Sequence, residues 1–162
     1  MKFEHLVEIN DLLNPLIDTL TRSQLWRGLV LRAEQPGDFV LGLDRCRVVD
    51  RSGDEVAREM HFGSLVIHDR VRLEADTRVR YLTMAPADLA GSSLIMSIEE
   101  PHPGQLYVRF EYENIRIDRA EAAAAFFDEF RCAAYTQADI DTIKTIRRYA
   151  SEGRLNDPPA GS

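Results

Sequence analysis

Hydrophobic and polar residues alternate along most of the chain before its C-terminal third, and this period of two predicts β-strands. In Lys2 to Ile9 the residues Phe3, His5, Val7 and Ile9 share one face. Six further segments alternate in the same way, at Asp38 to Val49, Val56 to Phe62, Leu65 to Glu74 and around residues 79–83, 94–98 and 106–112. We therefore predict seven antiparallel strands.

Two short helices are predicted between the first and second strands. Asn14 followed by Pro15 has the pattern of a helix N-cap with proline at the first helical position, which predicts a helix to about Thr21. A second, amphipathic helix begins near Ser23 and ends before Pro36, with Leu25 and Leu29 on one side.

The register of three central strands follows from their short connections. Gly63-Ser64 suits a two-residue type II′ hairpin, and a tight loop spans residues 75–77. These turns pair Met60 with Ile67, Arg58 with Asp69, Val56 with Val71, Val71 with Tyr81, and Asp69 with Thr83. The consequence is an inward polar cluster of Arg58, Asp69, Tyr81 and Thr83 on an otherwise apolar face. In the last hairpin, matching apolar residues pairs Ile98 with Leu106, Met96 with Val108 and Leu94 with Phe110.

A long helical segment is predicted from Asp118, which has the residue type and the Glu121 spacing of an N-cap, to about Gly153. No glycine or proline interrupts it, and it is rich in strong helix formers. Its apolar residues form two stripes, one around Phe126, Phe127 and Phe130 and another at the isoleucines 140, 143 and 146, rotated from the first by about 100° or more. A straight rod cannot turn both stripes to the sheet, so we predict a kink or break near Thr136, with the first half lining a cavity.

Composition narrows the class of protein. The chain has 162 residues, a net charge of −7 and a sequence pI near 5.1, which argues against general binding to nucleic acid or anionic membranes. Cys46 and Cys132 are isolated, so neither a disulfide framework nor a zinc site is expected. No apolar run is long enough for a membrane span. We expect a bacterial, cytoplasmic protein with one domain over residues 1–155 and a flexible tail over residues 156–162.

The predicted order of one strand, two short helices, six strands and a long helix is that of the helix-grip fold. The chain resembles the superfamily that includes START lipid-transfer domains, plant pathogenesis-related allergens and polyketide cyclases (SRPBCC). Within it, LTRSQLWRGLVLRAE, IEEPHPGQLYVRFEYE and AYTQADIDTIKTIRRYA are similar to the AtaL-like branch. The resemblance implies an α+β fold in which a seven-stranded curved antiparallel sheet wraps around the C-terminal helix and encloses an apolar cavity. The glycine-rich loop of many plant members is matched only by HFGS.

The function implied by the resemblance is binding of a hydrophobic or aromatic small molecule in that cavity. The alternative is a cyclase or dehydratase-type enzyme, for which Arg58, Asp69 or Tyr81 would supply an acid or base. No catalytic residue carries over from the family, and neither a cofactor nor a metal is expected. A homodimer is left open. The predicted ligand-binding residues are Arg58, Met60, Asp69, Val71, Tyr81, Thr83, Met96, Phe110, Tyr112, Phe126, Phe127 and Phe130.

Simpler structural roles compete with these assignments. Arg58 and Asp69 also fit a structural ion pair exposed by twist at the end of the sheet, and Tyr81 and Tyr112 also fit wall positions with hydroxyls at the rim. His61 and His68 fall on the outer face, where a solvated pair of His68 with Glu59 is the simpler interpretation.

Overall fold

A computed structural model of the chain describes residues 2–84, 91–114 and 121–156, with the side chains of residues 114 and 121–128 outside the description. The strands are β1 (Lys2–Glu8), β2 (Arg45–Ser52), β3 (Glu55–Phe62), β4 (Leu65–Glu74), β5 (Arg78–Met84), β6 (Ser92–His102) and β7 (Gln105–Asn114). Helix α1 spans Arg22–Glu34 and helix α2 spans Glu121–Ser151. The seven strands form one antiparallel sheet in the order β1-β7-β6-β5-β4-β3-β2. The predicted α+β helix-grip class is confirmed.

The core lies between the inner face of the sheet and the two helices. Leu25 and Leu29 on α1 and Ile146 on α2 are completely buried against it. The helices approach closely because residue 28 is glycine: a Cβ there would lie 2.6 Å from Cγ2 of Ile146. Two helices joined in this way cover the apolar face that the sheet cannot bury alone.

Between β1 and β2 the chain forms a single α-helix, α1, so the predicted helix from Asn14 to Thr21 is wrong. The segment is a series of turns, and the buried side chain of Asn10 holds its end at Leu20. Its Oδ1 accepts a hydrogen bond from the amide of Leu20 (2.9 Å), and its Nδ2 donates to the carbonyls of Leu20 and Gly104 (2.8 Å each). Asn14 caps a local turn by accepting from the amide of Leu16 at 3.0 Å.

The second strand begins later than predicted, at Arg45 instead of Asp38. Residues Pro36–Asp38 form a 3₁₀ turn, with proline at its start, and Gly42 has a φ of +80° in the turn that follows. Phe39 packs edge-on against Tyr149 of α2, with ring centroids 5.6 Å apart, so its side chain serves the helix contact and not a strand face.

The predicted register of β3, β4 and β5 is confirmed pair by pair. Met60 lies opposite Ile67, Arg58 opposite Asp69, and Val71 opposite both Val56 and Tyr81. Gly63 has a φ of +60°, as the first central position of a II′ turn requires.

The predicted register of β6 and β7 is wrong by two residues. Ile98 pairs with Val108, Met96 with Phe110 and Leu94 with Tyr112. The strands extend further than predicted, to a His102–Gln105 pair, and the ladder is irregular between Glu99 and His102. A shift of two keeps every side chain on its predicted face.

Helix α2 continues through Thr136 as one element of 31 residues, so of the predicted kink or break the break is wrong. The hydroxyl of Thr136 donates to the carbonyl of Cys132 at 2.9 Å, a bond inside the helix and not a cap. No break is needed because Phe130 of the first stripe is 63% exposed. The side of α2 that packs on the core carries Asp139, Thr142, Ile143, Ile146 and Tyr149.

The predicted Asp118 cap, the side chains of Phe126 and Phe127, and residues 157–162 of the predicted tail fall outside the description. Leu155, at the predicted end of the domain, is fully buried. Over the described ranges, none of the helices combines the length and the apolar character that a membrane span requires.

Candidate functional site

The inner face of the sheet carries two rows of polar side chains in its central strands. Tyr81 and Tyr112 lie on either side of Leu94 in one cross-strand row. Arg58 and Asp69 lie in the next row, opposite each other on β3 and β4. These rows place four polar side chains among apolar ones, beneath the helices.

Arg58 and Asp69 form a buried bidentate ion pair. Nε of Arg58 donates to Oδ1 of Asp69 at 2.9 Å, and Nη2 donates to Oδ2 at 2.6 Å. Nη1 donates to the carbonyl of Ala33 at the end of α1 (2.7 Å). Although burial alone would lower the pKa of Arg58, the hydrogen bonds and charge of Asp69 raise it. Both side chains are only 3% exposed, so the pair is not a surface pair at the sheet end.

Tyr81 brings an unsatisfied hydroxyl into the same interior. The residue is 6% exposed, and its hydroxyl is buried without a hydrogen-bond partner among the described residues. The guanidinium carbons of Arg32 and Arg58 lie over the ring, 5.1 and 5.3 Å from its centroid. A buried hydroxyl without a partner costs about 1–3 kcal/mol relative to a bonded one. Among the described residues, the Tyr81 hydroxyl is therefore a donor without an acceptor, on a ring that two guanidinium groups contact.

A second polar cluster joins strands β1 and β7 to α2. Asp139 is 1% exposed, and its Oδ1 accepts a hydrogen bond from the Tyr112 hydroxyl. Its Oδ2 lies 3.1 Å from Nδ1 of His5. Burial raises the pKa of Asp139, an effect that the bonds from Tyr112 and His5 oppose. Burial and the neighbouring Asp139 carboxylate also raise the pKa of Tyr112.

Arg32 on α1 lies between the two clusters. Its guanidinium is over the ring of Tyr81, and its Nε donates to the hydroxyl of Thr142 on α2 at 3.3 Å. Its positive charge acts on both Asp139 and Tyr112. The polar groups therefore form one connected series across the interior.

Aromatic rings border the Asp139 cluster. Tyr112 and Tyr135 stack with centroids 3.9 Å apart and planes 6° apart. Phe3 lies 6.1 Å from Tyr112 and 6.2 Å from Tyr135. Such a wall is typical of sites for flat, apolar molecules.

The other predicted ligand residues are distributed unevenly. Val71, Met96 and Phe110 are fully buried, and Met60 and Thr83 are half-buried. Phe130 is largely exposed, and the side chains of Phe126 and Phe127 lie outside the description. Contact of each of these residues with a ligand stays a prediction.

His61 on β3 and His68 on β4 lie on the outer face of the sheet. Glu59 lies opposite His68 as predicted, but its carboxylate contacts Nε2 of His61, 2.6 Å away on the same strand. Among the described residues, no group of three or more His, Cys, Asp or Glu side chains is arranged to hold a metal ion.

The sequence does not identify Arg32 or Asp139 as residues of the interior, and it assigns no role to His5. Asp139 had a usable signal, because it shares a helical face with Ile143 and Ile146, where an apolar residue is expected. The alternation of β1 correctly predicts that His5 shares a face with Phe3 and Val7. Its partner Asp139 lies 134 positions away, and a local pattern cannot identify it.

Comparisons with known proteins agree with the fold. A family model described as "Acetylaranotin biosynthesis cluster protein L" (AtaL) matches residues 7–153. No curated protein sequence matches the chain.

Solved structures with this fold share little sequence with the chain. The Zhui aromatase/cyclase from Streptomyces sp. R1128 is 13% identical, with a TM-score of 0.64, over 100% of this chain and 98% of that one. The di-domain ARO/CYC StfQ from the steffimycin biosynthetic pathway is 9% identical, with a TM-score of 0.69, over 93% of this chain and 52% of that one. Ara h 8.0201 is 9% identical, with a TM-score of 0.59, over 91% of this chain and 98% of that one.

Proposed function

The chain belongs to the AtaL family, and from that premise and its interior polar groups we propose that it binds a hydrophobic or aromatic small molecule between the sheet and α2. The observation that carries the proposal is the buried Tyr81 hydroxyl without a partner among the described residues. Folded proteins pair nearly all buried polar atoms, so an unpaired donor calls for an explanation. A carbonyl or phenolic oxygen of a ligand would satisfy this hydroxyl.

The surroundings of Tyr81 favour a ligand oxygen with partial negative charge. Arg32 and Arg58 both lie over its ring. All three guanidinium nitrogens of Arg58 donate hydrogen bonds, two to Asp69 and one to the carbonyl of Ala33. Arg32 donates through Nε to the hydroxyl of Thr142. We therefore assign Arg32 and Tyr81 to the polar end of the ligand, and the ring wall of Phe3, Tyr112 and Tyr135 to its apolar body.

A thermal-shift screen tests this proposal. Flavonoids, fatty acids and polyketide mimics are compared, and we expect aromatic compounds with a carbonyl or phenol to raise the melting temperature most. A ligand at 100 times its Kd stabilises a protein by about 2.7 kcal/mol, which such a screen detects. If no compound raises the melting temperature, the binding proposal fails.

The second candidate function is an enzyme of the cyclase or dehydratase type that uses the same interior. The contact between His5 and Asp139 favours it, because a histidine backed by a buried carboxylate is a common acid–base arrangement. Two of the structures that share the fold are named as aromatase/cyclases. Turnover of a bound aromatic ketone, followed by its products, separates an enzyme from a carrier.

A further inference from the structure

We propose that His5 is a general base that removes a proton from the carbon next to the carbonyl of a bound aromatic ketone. The proposal rests on the proposed binding function and assigns a reacting atom, Nε2 of His5, within that site. Asp139 is the positioning residue that orients the ring.

The carboxylate of Asp139 sets the tautomer of His5. Oδ1 of Asp139 accepts the Tyr112 hydroxyl, and Oδ2 faces Nδ1 of His5 at 3.1 Å. A carboxylate is an acceptor only, so Nδ1 carries the hydrogen and the neutral ring keeps its lone pair on Nε2. An imidazole held in this way by a buried carboxylate is oriented to take a proton at its other nitrogen.

His5 is the more exposed member of its pair with Asp139. The side chain of His5 is 26% exposed, whereas Asp139 behind it is 1% exposed. Its ring lies 6.4 Å from Phe3 and 6.5 Å from Phe110, so the base borders the aromatic wall. Within the described part of the chain, the titratable groups that face this cluster are Tyr112 on β7, Tyr135 and Asp139 on α2, and Arg32 on α1.

The step is balanced by the groups present. Nε2 takes the proton from the α-carbon, the C–H electron pair forms the carbon–carbon double bond, and the carbonyl π pair moves onto oxygen. The products are an enolate and an imidazolium whose charge is balanced by Asp139. Return of the proton to carbon regenerates the ketone and the neutral imidazole. Arg32 supplies positive charge in the same interior for the enolate oxygen.

Hydrogen–deuterium exchange of 2-tetralone in D₂O tests this proposal. Loss of the α-proton signal is followed by proton NMR, and binding is followed separately by saturation transfer from the protein. We expect the wild type to accelerate exchange and His5→Ala to lower the rate about 100-fold, within the range known for general base catalysis. Added imidazole restores part of the rate in His5→Ala, which a purely structural role of His5 would not allow.

Three further variants sharpen the test. His5→Gln is used if His5→Ala fails to fold by circular dichroism, because glutamine still donates to Asp139 but cannot take the proton. Asp139→Asn is expected to slow exchange while 2-tetralone still binds. His68→Gln, an exposed histidine on the outer face, is the matched control and keeps the wild-type rate.

The outcomes separate this proposal from the binding function. If 2-tetralone binds and its exchange is no faster than with free imidazole at equal concentration, the base proposal is overturned and the binding function stands. Exchange that persists in both His5 variants also overturns it. If 2-tetralone does not bind, the assignment of aromatic ketones is wrong, and the thermal-shift screen decides whether the binding function falls with it.

Discussion

Arg58 and Asp69 face each other across β3 and β4 and are joined by two hydrogen bonds of 2.9 and 2.6 Å in the interior. We predict that Asp69→Ala lowers the free energy of unfolding by about 3–5 kcal/mol, because it leaves a buried guanidinium unpaired. The double variant Arg58→Met, Asp69→Leu recovers most of that loss, because it removes both charges. Chemical denaturation measures both values. The exposed Asp50→Ala on β2 is the control, and a loss for Asp69→Ala as small as that of the control would contradict a buried pair.

Gly28 is required by the contact between α1 and α2. A Cβ at this position would lie 2.6 Å from Cγ2 and 2.8 Å from Cγ1 of Ile146, closer than real Cβ contacts. We predict that Gly28→Ala destabilises the protein by about 1–3 kcal/mol, as overpacking does. Thermal unfolding measures the loss. In a double-mutant cycle with Ile146→Ala, the two losses should sum to more than the loss of the double variant, because the shortened side chain at residue 146 relieves the clash.

The matched control for this substitution is Gly37→Ala. A Cβ at Gly37 meets no atom within 4 Å, and its φ is not positive. The control is therefore expected to be neutral or slightly stabilising. If Gly28→Ala behaved like Gly37→Ala, the close approach of the helices would be refuted.

Asn10 organises the segment that was expected to be a helix. Its side chain makes three hydrogen bonds, to the amide and carbonyl of Leu20 and to the carbonyl of Gly104. Because Asn10→Ala leaves the buried amide and carbonyl of Leu20 unpaired, we predict a loss of about 1–3 kcal/mol, measured by denaturation. Asn14→Ala, which loses one exposed bond to Leu16, serves as the comparison and should cost much less.

The buried carboxylate of Asp139 predicts a dependence of stability on pH. Burial raises its pKa in the folded state above the ordinary value of 3.8. Its contribution to stability is therefore complete below that value and is lost as the pH rises through the folded-state pKa. The measurement is the difference in unfolding free energy between wild type and Asp139→Asn at a series of pH values. The wild type should lose stability relative to the variant as the pH rises from below 4, and a difference that is constant or rises would contradict the prediction.

The parts of the fold that sequence could predict are those whose geometry is fixed locally. Gly63-Ser64 and the loop at residues 75–77 determine the register of β3, β4 and β5, and they place Arg58 opposite Asp69. The β6–β7 register could not be found in the same way. Its true and predicted forms differ by two residues, so both keep the same side chains inward and the apolar pattern fits either.

The sequence predicts only some of the polar side chains in the interior, because the others are brought there by contacts between distant parts of the chain. The Tyr112 hydroxyl and the His5 ring both contact Asp139 on α2. The sequence predicts this helix but does not predict how close it lies to the sheet. Similarly, the position of Arg32 over the ring of Tyr81 depends on how α1 crosses the sheet. These contacts come from tertiary packing, and no local period encodes them.

The central claim is that the Tyr81 hydroxyl binds an oxygen of the ligand, and calorimetric binding to Tyr81→Phe tests it most directly. With the strongest ligand from the thermal-shift screen, we predict that Tyr81→Phe weakens affinity about tenfold, or about 1.4 kcal/mol. The ligand-free variant should melt at or above the wild-type temperature, because the unsatisfied hydroxyl is gone. Tyr107→Phe, whose hydroxyl contacts Glu8 instead, is the control and should bind as the wild type does. Equal affinity of Tyr81→Phe and wild type, or a ligand-free variant that is clearly less stable, would contradict the claim.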